Sequence, residues 1–263
     1  MQNFSLVLSG GGALGIAHLG VLEDLEKLDI TPSKIIGTSM GGIIGAGIAI
    51  GMKEKEIYEI IKEFSNVFNW IKFSLSGNAI IKTDKISKIF YSIFGDKKIN
   101  DTKIPLKIIA TNLRTTESKV FTKYDNVLIK DALLATMAIP GIFEEMIIDG
   151  EIYVDGFLTQ NLGVKEAVFD NILAVDVLGK NSFSTDLPQN TLKTKNVMDM
   201  FEKSLRILIY NQTKHAINLL EKNKKLILLE PKTKGFKTYH FHKYKEIKEC
   251  GKGLLQNLPQ YMT

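Results

Sequence analysis

The stretch KIIGTSMGGIIG, Lys34 to Gly45, sets one serine, Ser39, between Gly37 and Gly41 directly after a short apolar run. Two readings of it lead to different molecules. Either Ser39 sits on a sharp strand-to-helix turn that projects its hydroxyl, the GxSxG arrangement whose glycines let strand and helix pack closely, or it is a small residue in a glycine-rich helix. The surrounding Ile35–Met52 runs 18 residues without a charge and repeats GxxxG spacing, which is the lower limit of a membrane span. Six glycines with Thr38 and Ser39 make it weakly hydrophobic, however, and a strand, turn and helix buried in an α/β sheet has the same composition. The buried reading is adopted.

Outward from this point, β-branched apolar runs bounded by turn residues predict strands at Phe4–Leu8, Lys34–Gly37, Leu106–Asn112, Lys119–Thr122, Glu144–Ile148, Glu151–Val154, Ile172–Val177 and Leu226–Leu229. Helical spacing predicts a helix from the glycines after the first strand to about Lys27. Others are predicted over Met40–Gly51, Lys53–Phe64, Asp84–Phe94, Lys130–Ala138, Val197–Glu221 and Tyr244–Leu255. Strands alternating with helices imply a mainly parallel central sheet with helices on both faces, a three-layer α/β sandwich. Gly179–Lys195 reads as a loop within one domain spanning residues 1–263. Function is then expected at the carboxyl ends of the strands.

The chain of 263 residues is long enough for one sizeable core, and its 44% hydrophobic and 24% charged residues exclude disordered and fibrous classes. The net charge of +5 comes almost wholly from lysine. That balance suits an anionic membrane surface, or is only a habit of surface composition, and nucleic acid is not expected as a partner. A single cysteine, Cys250, allows no intramolecular disulfide, and no basic segment precedes the first apolar run, so a cytoplasmic location without an export signal is expected.

Two further motifs carry chemistry. SGGGALG, Ser9 to Gly15, ends the first strand and opens a helix, where glycine amides can approach negative charge closely. Gly10, Gly12 and Gly15 also satisfy GxGxxG, but no acidic residue ends the second strand to hold a ribose and no Lys-Ser/Thr follows to hold a phosphate. In IIDGEIYVDGFLTQN, Asp149-Gly150 is the two-residue turn of a hairpin. Asp155-Gly156 instead ends a strand before a polar loop with Thr159, Gln160 and Asn161, and presents a carboxylate there.

Glycine loop, GxSxG and Asp-Gly in this order resemble the patatin-like phospholipase family, with Ala135–Pro140 matching a further block of it. The resemblance runs from about Phe4 to Asn161, with a weaker echo near Gly251. It implies a lipid acyl hydrolase with a Ser39–Asp155 dyad that dispenses with histidine. It also implies an oxyanion hole from Gly10, Gly11 and Gly12, with Gly15, Gly37, Gly41 and Gly156 supporting the motifs. No metal or organic cofactor is implied, and the substrate class is fatty-acyl esters of phospholipids or related lipids. The chain departs from the pattern at Leu14, where the family usually has Arg or Lys, at Thr136 in place of Ser, and at Phe157 in place of Gly or Ala. The first bears on anion binding and the last on the space beside Asp155.

Two alternatives remain. His215, His240 and His242 follow Asp155 in the order of a Ser-Asp-His triad, which would make a small-ester hydrolase. The glycine loop could also belong to a non-enzymatic nucleotide- or anion-binding module with Ser39 only capping a helix. His18, on the apolar face of the first helix, reads as a hydrogen-bonded core residue. The aromatics of Asn66–Ile81 fit a lipid-facing lid or a buried helix flank, and those of Lys232–Lys248 a membrane-surface patch or a solvated loop.

Overall fold

The computed structural model describes residues 3–69, 83–183 and 194–256. Among them eight strands form one sheet: β1 (Phe4–Leu8), β2 (Lys34–Thr38), β3 (Leu106–Asn112), β4 (Ser118–Phe121), β5 (Met146–Ile148), β6 (Glu151–Asp155), β7 (Asn171–Val175) and β8 (Lys225–Leu229). Hydrogen-bonded neighbours follow the path β5-β6-β3-β2-β1-β7-β8, with β4 also on β3. The five strands β3, β2, β1, β7 and β8 are parallel, and β4, β5 and β6 are antiparallel additions. All eight lie where the apolar runs predict them, within about two residues. Asp149 and Gly150 both take positive φ, 51° and 77°, in the turn of the β5–β6 hairpin, as the Asp-Gly signal implies.

The register explains how distant residues meet. β4 pairs with Ile108–Thr111 of β3, while β2 pairs with Ile108 and Ile109 and β6 with Ala110 and Thr111. A strand has two edges, so β2 and β6 share the edge that β4 does not occupy. They run toward each other along it, Thr38 opposite Ile109 and Asp155 opposite Ala110. The carboxyl ends of both strands therefore stop at adjacent positions on one partner.

The helices are α1 (Ala17–Lys27), α2 (Met40–Ile50), α3 (Glu54–Asn69), α4 (Asp84–Phe94), α5 (Ile129–Met137), α6 (Phe157–Gln160), α7 (Thr194–Asn218) and α8 (Tyr244–Glu249). Alternation along the strands divides the interior. Leu6, Leu8, Ile35, Ile108, Leu173 and Val175 join the large cluster under α1 to α5. Val7, Ile36, Ile109, Ile172 and Ala174 face the smaller cluster closed by Leu162, Val164 and Ala216 of α7. Among the described residues no helix is long and apolar enough to cross a membrane. The glycine-rich α2 is buried instead beside β2, as the strand-turn-helix reading expects.

Two local expectations change. The polar loop after Asp155 is the short helix α6, and the last predicted helix ends at Glu249, where Gly251 packs against the Ala17 carbonyl too closely for a side chain. The stretch Gly179–Lys195 begins with a 3₁₀ turn at Lys180–Ser182 and otherwise lies largely outside the described residues, with α7 starting at Thr194. Trp70, Lys72 and Phe73, the centre of the lid reading, also lie outside the described residues.

Candidate active site

Ser39 stands between β2 and α2 with φ 53° and ψ −125°, a positive φ rare for a residue with a Cβ. The turn is tight because Gly37 and Gly41 approach neighbouring backbone: a Cβ on Gly37 would lie 2.5 Å from the Gly41 carbonyl oxygen, and one on Gly41 would strike the carbonyls of Leu8 and Ser9. The strained backbone is pinned from α5. Ser39 N–H donates to Thr136 Oγ1 at 2.8 Å, and the Thr136 hydroxyl donates to the Ile109 carbonyl on β3. Substituting threonine for the family's serine thus keeps the hydroxyl and adds a buried methyl.

Ser39 Oγ donates to Asp155 Oδ2 at 2.7 Å, and Phe157 N–H donates to Oδ1 at 3.0 Å. Asp155 is fully buried. Burial pushes its carboxyl up to about 7, against the lowering effect of the Ser39 and Phe157 hydrogen bonds. Behind it, Thr111 Oγ1 donates to the Asp155 carbonyl at 3.0 Å and Asp155 N–H donates to the Ala138 carbonyl at 2.9 Å. Gly156 abuts the Ile109 carbonyl.

The glycine loop passes against the serine: a Cβ on Gly10 would sit 3.1 Å from Ser39 Cβ, and one on Gly15 2.5 Å from Met40 Cγ. Gly10 N–H is committed to the Asn161 carbonyl at 3.2 Å, so Gly10 is not a free donor as the motif implies. Ala13 N–H is likewise taken, by the Thr238 carbonyl at 2.7 Å. The Gly11 and Gly12 N–H groups have no partner among the described residues. Gly12 takes φ 53° with the Thr238 carbonyl where a Cβ would project, so only glycine fits.

Leu14 is wholly buried in the core, so no surface exists there for the anion contact of a basic residue. His18 is a core residue: Nε2 lies 2.9 Å from the Ser9 carbonyl, and burial holds its pKa down to about 4, which leaves it neutral and Nε2 the donor. His215 is exposed on α7, and His240 Nδ1 accepts the Lys237 N–H at 3.2 Å while its ring meets Tyr239 and His242 edge-on. Both hydrogen bonds to the Asp155 carboxyl come from Ser39 and Phe157, none from a histidine. Among the described residues no group of three or more His, Cys, Asp or Glu could hold a metal.

A model of the patatin-like phospholipase family matches residues 6–168, which include every residue of this constellation named so far except Thr238. The chain belongs to the patatin-like phospholipase family. This patatin-like chain is 28% identical over 282 residues to Lysophospholipase NTE1 of Debaryomyces hansenii, an alignment covering 98% of the chain and 18% of that protein. It is 30% identical over 154 residues to an uncharacterized NTE family protein of Mycobacterium tuberculosis, 58% of the chain and 42% of that protein. The chain thus spans less than half the length of these curated relatives. VipD from Legionella pneumophila shares the fold, with TM-score 0.52 at 14% identity, over 97% of the chain and 66% of VipD.

Two contributors act through contacts that no motif shows, Thr136 from within the Ala135–Pro140 block and Gln212 from outside every motif. The bond from Thr136 to Ser39 N–H joins positions 97 apart in sequence, and Gln212 on α7 bonds residues 157–161 through contacts that only the packing of α7 creates.

Proposed function

We propose that the chain is a serine acyl hydrolase of lipid esters, cleaving fatty-acyl chains from phospholipids or lysophospholipids. Ser39 Oγ attacks the acyl carbonyl as Asp155 Oδ2 takes its proton, and the Gly11 and Gly12 amides receive the negative charge that develops on the carbonyl oxygen. Collapse expels the alcohol, protonated by Asp155. Water, deprotonated by the same carboxylate, then attacks the acyl-Ser39 ester and frees the fatty acid. The observation that carries the reading is the 2.7 Å Ser39–Asp155 bond, in which the serine's partner is a carboxylate with no intervening imidazole. Family membership supports the same substrate class.

Ser39→Ala and Asp155→Asn should each abolish turnover of phospholipid and lysophospholipid substrates and labelling by a fluorophosphonate. Alanine at His215, His240 or His242 should leave both largely intact. A folded histidine variant as inactive as Ser39→Ala would replace the dyad with the triad hydrolase, and a parent protein that is neither labelled nor active would leave a binding module.

The reading extends to peripheral association with a lipid surface. The aromatics of 232–248 do not support it, since Phe236 and Tyr244 pack on the core, Phe241 is buried and Tyr239 donates to Asp199. Support comes from α7, where Val197, Met200, Phe201, Ile207 and Leu208 recur at helical spacing, each 45% to 66% exposed.

A further inference from the structure

Helix α7 lies beyond the family-matched residues, yet one of its side chains touches the segment that follows the catalytic strand. Gln212 Nε2 donates to the Phe157 and Leu158 carbonyls, both at 3.2 Å, and Oε1 accepts the Asn161 N–H at 2.8 Å. Helix α6 has only four residues, so its carbonyls lack partners of the ordinary helical kind. The Asn161 N–H, which would normally return to Phe157, is turned outward to Gln212. A single planar amide, carrying two donors and an acceptor, satisfies all three groups at once.

The clasped segment reaches the reacting groups from both ends. Phe157 N–H holds Asp155 Oδ1 at 3.0 Å. The Asn161 carbonyl holds Gly10 N–H at 3.2 Å, and Asn161 Nδ2 lies 3.5 Å from the Gly10 carbonyl. Gly10 rests against Ser39 and leads into the Gly11 and Gly12 amides. Helix α7 itself is anchored by buried Ile209, Thr213 and Ala216, whereas Gln212 is only half-buried, so the helix keeps its packing without this side chain.

We propose that Gln212 is a positioning residue for the hydrolase: by clasping residues 157–161 it holds Asp155 in line with Ser39 and holds Gly10 at the head of the oxyanion loop. The proposal rests on the dyad reading above. The carboxyl of Asp155 is opposed only by its burial, with the Ser39 hydroxyl and the Phe157 N–H acting the other way, and no other titratable group shifts it. Loosening the Phe157 N–H therefore moves the titration of Asp155 upward.

The test uses Gln212→Ala, which suits a helix, and Gln212→Glu, which keeps an acceptor for the Asn161 N–H but has no donor for the two carbonyls. Turnover of a soluble short-chain ester is measured from pH 5 to 9 beside thermal unfolding. Gln212→Ala should unfold near the parent temperature, lose about 10- to 100-fold in kcat with KM little changed, and show its acid limb at higher pH. Gln212→Glu should shift the acid limb in the same direction with a smaller loss of kcat. A folded Gln212→Ala with parental kcat and acid limb overturns the proposal. So does a kcat loss in both variants with the acid limb unmoved, since that is general loosening. If Gln212→Ala does not fold, Gln212→Met, which fills the same space with no donor, acceptor or charge, is read in its place, since the carboxylate of Gln212→Glu by itself pushes the Asp155 titration upward. Turnover surviving in Ser39→Ala removes the dyad, whereas a dead Ser39→Ala beside an unaltered Gln212→Ala removes only the clasp.

Discussion

Ser39 holds its hydroxyl out on a backbone conformation that costs an L-residue roughly 1–3 kcal/mol, and such strain persists only where neighbours over-determine it. The Thr136 hydroxyl is one of those neighbours, accepting from Ser39 N–H and donating to Ile109. Thr136→Val keeps the shape and removes both bonds, leaving a buried N–H and carbonyl unpaired. It should lower stability by about 1–3 kcal/mol in urea unfolding and lower kcat, while Thr136→Ser stays close to the parent in both. In the proposed dyad, Asp155 sets the pH dependence. It serves as base only when ionised, and burial raises its carboxyl to about 7. The kcat/KM profile on a soluble ester should therefore rise through an acid limb near pH 7 and level off above it, and a limb near 4 would mean that some other group carries the proton.

Among the elements, β2 and β6 bring Ser39 and Asp155, the nucleophile and base of the proposed dyad, together, and α7 connects that pair to the surface. The inner side of α7 carries Glu202, whose Oε1 accepts the Thr238 N–H at 3.2 Å, and the Thr238 carbonyl in turn holds Ala13 in the glycine loop. The outer side carries the exposed apolar row from Val197 to Leu208. A double change, Phe201→Ser with Leu208→Ser, removes the two most exposed members of that row without touching the inner contacts. It should weaken binding to anionic phospholipid vesicles in a sedimentation assay and slow hydrolysis of vesicular substrate, while leaving turnover of a soluble ester at the parent level. Undiminished vesicle binding by the double variant would place the lipid contact elsewhere.

For the molecule as a whole, three buried titratable groups work in opposite directions. Burial raises Asp155 and Asp176 to about 7, the latter with a further upward push from Glu230. Each folded carboxyl then holds its proton more tightly than the unfolded one, so its contribution to stability is full below about pH 4 and is lost as pH rises through 7. His18, held down to about 4, has the other sign: folding stability falls as pH drops from about 6.5, because the unfolded imidazole takes a proton that the buried one refuses. Asp176 follows β7, with Leu178 N–H on its Oδ1 at 3.0 Å, an acceptor that asparagine retains. Asp176→Asn should raise the unfolding temperature at pH 8 and change it little at pH 4, measured by calorimetry. A lower unfolding temperature at pH 8 would show that the carboxylate is stabilised there by something other than the groups around it.

The chain order of apolar runs, turn residues and glycines was enough to read eight strands, the buried strand-turn-helix at Ser39 and the carboxylate at Asp155. Those features are local, each set by side-chain periodicity or by backbone geometry that only certain residues adopt. What tertiary structure decided is which groups meet. The head-to-head approach of β2 and β6 along one edge of β3 depends on sheet register, and register follows from packing between segments far apart in sequence. Gly10 carries the same motif signature as Gly11 and Gly12, yet its amide is consumed by Asn161. Phe236, Tyr239, Phe241 and Tyr244 look like a surface patch in sequence but fold inward or find partners. Gln212, and the bond of Thr136 to the Ser39 N–H, become part of the site only because hydrogen bonds need atoms about 3 Å apart, a condition that spacing along the chain does not encode.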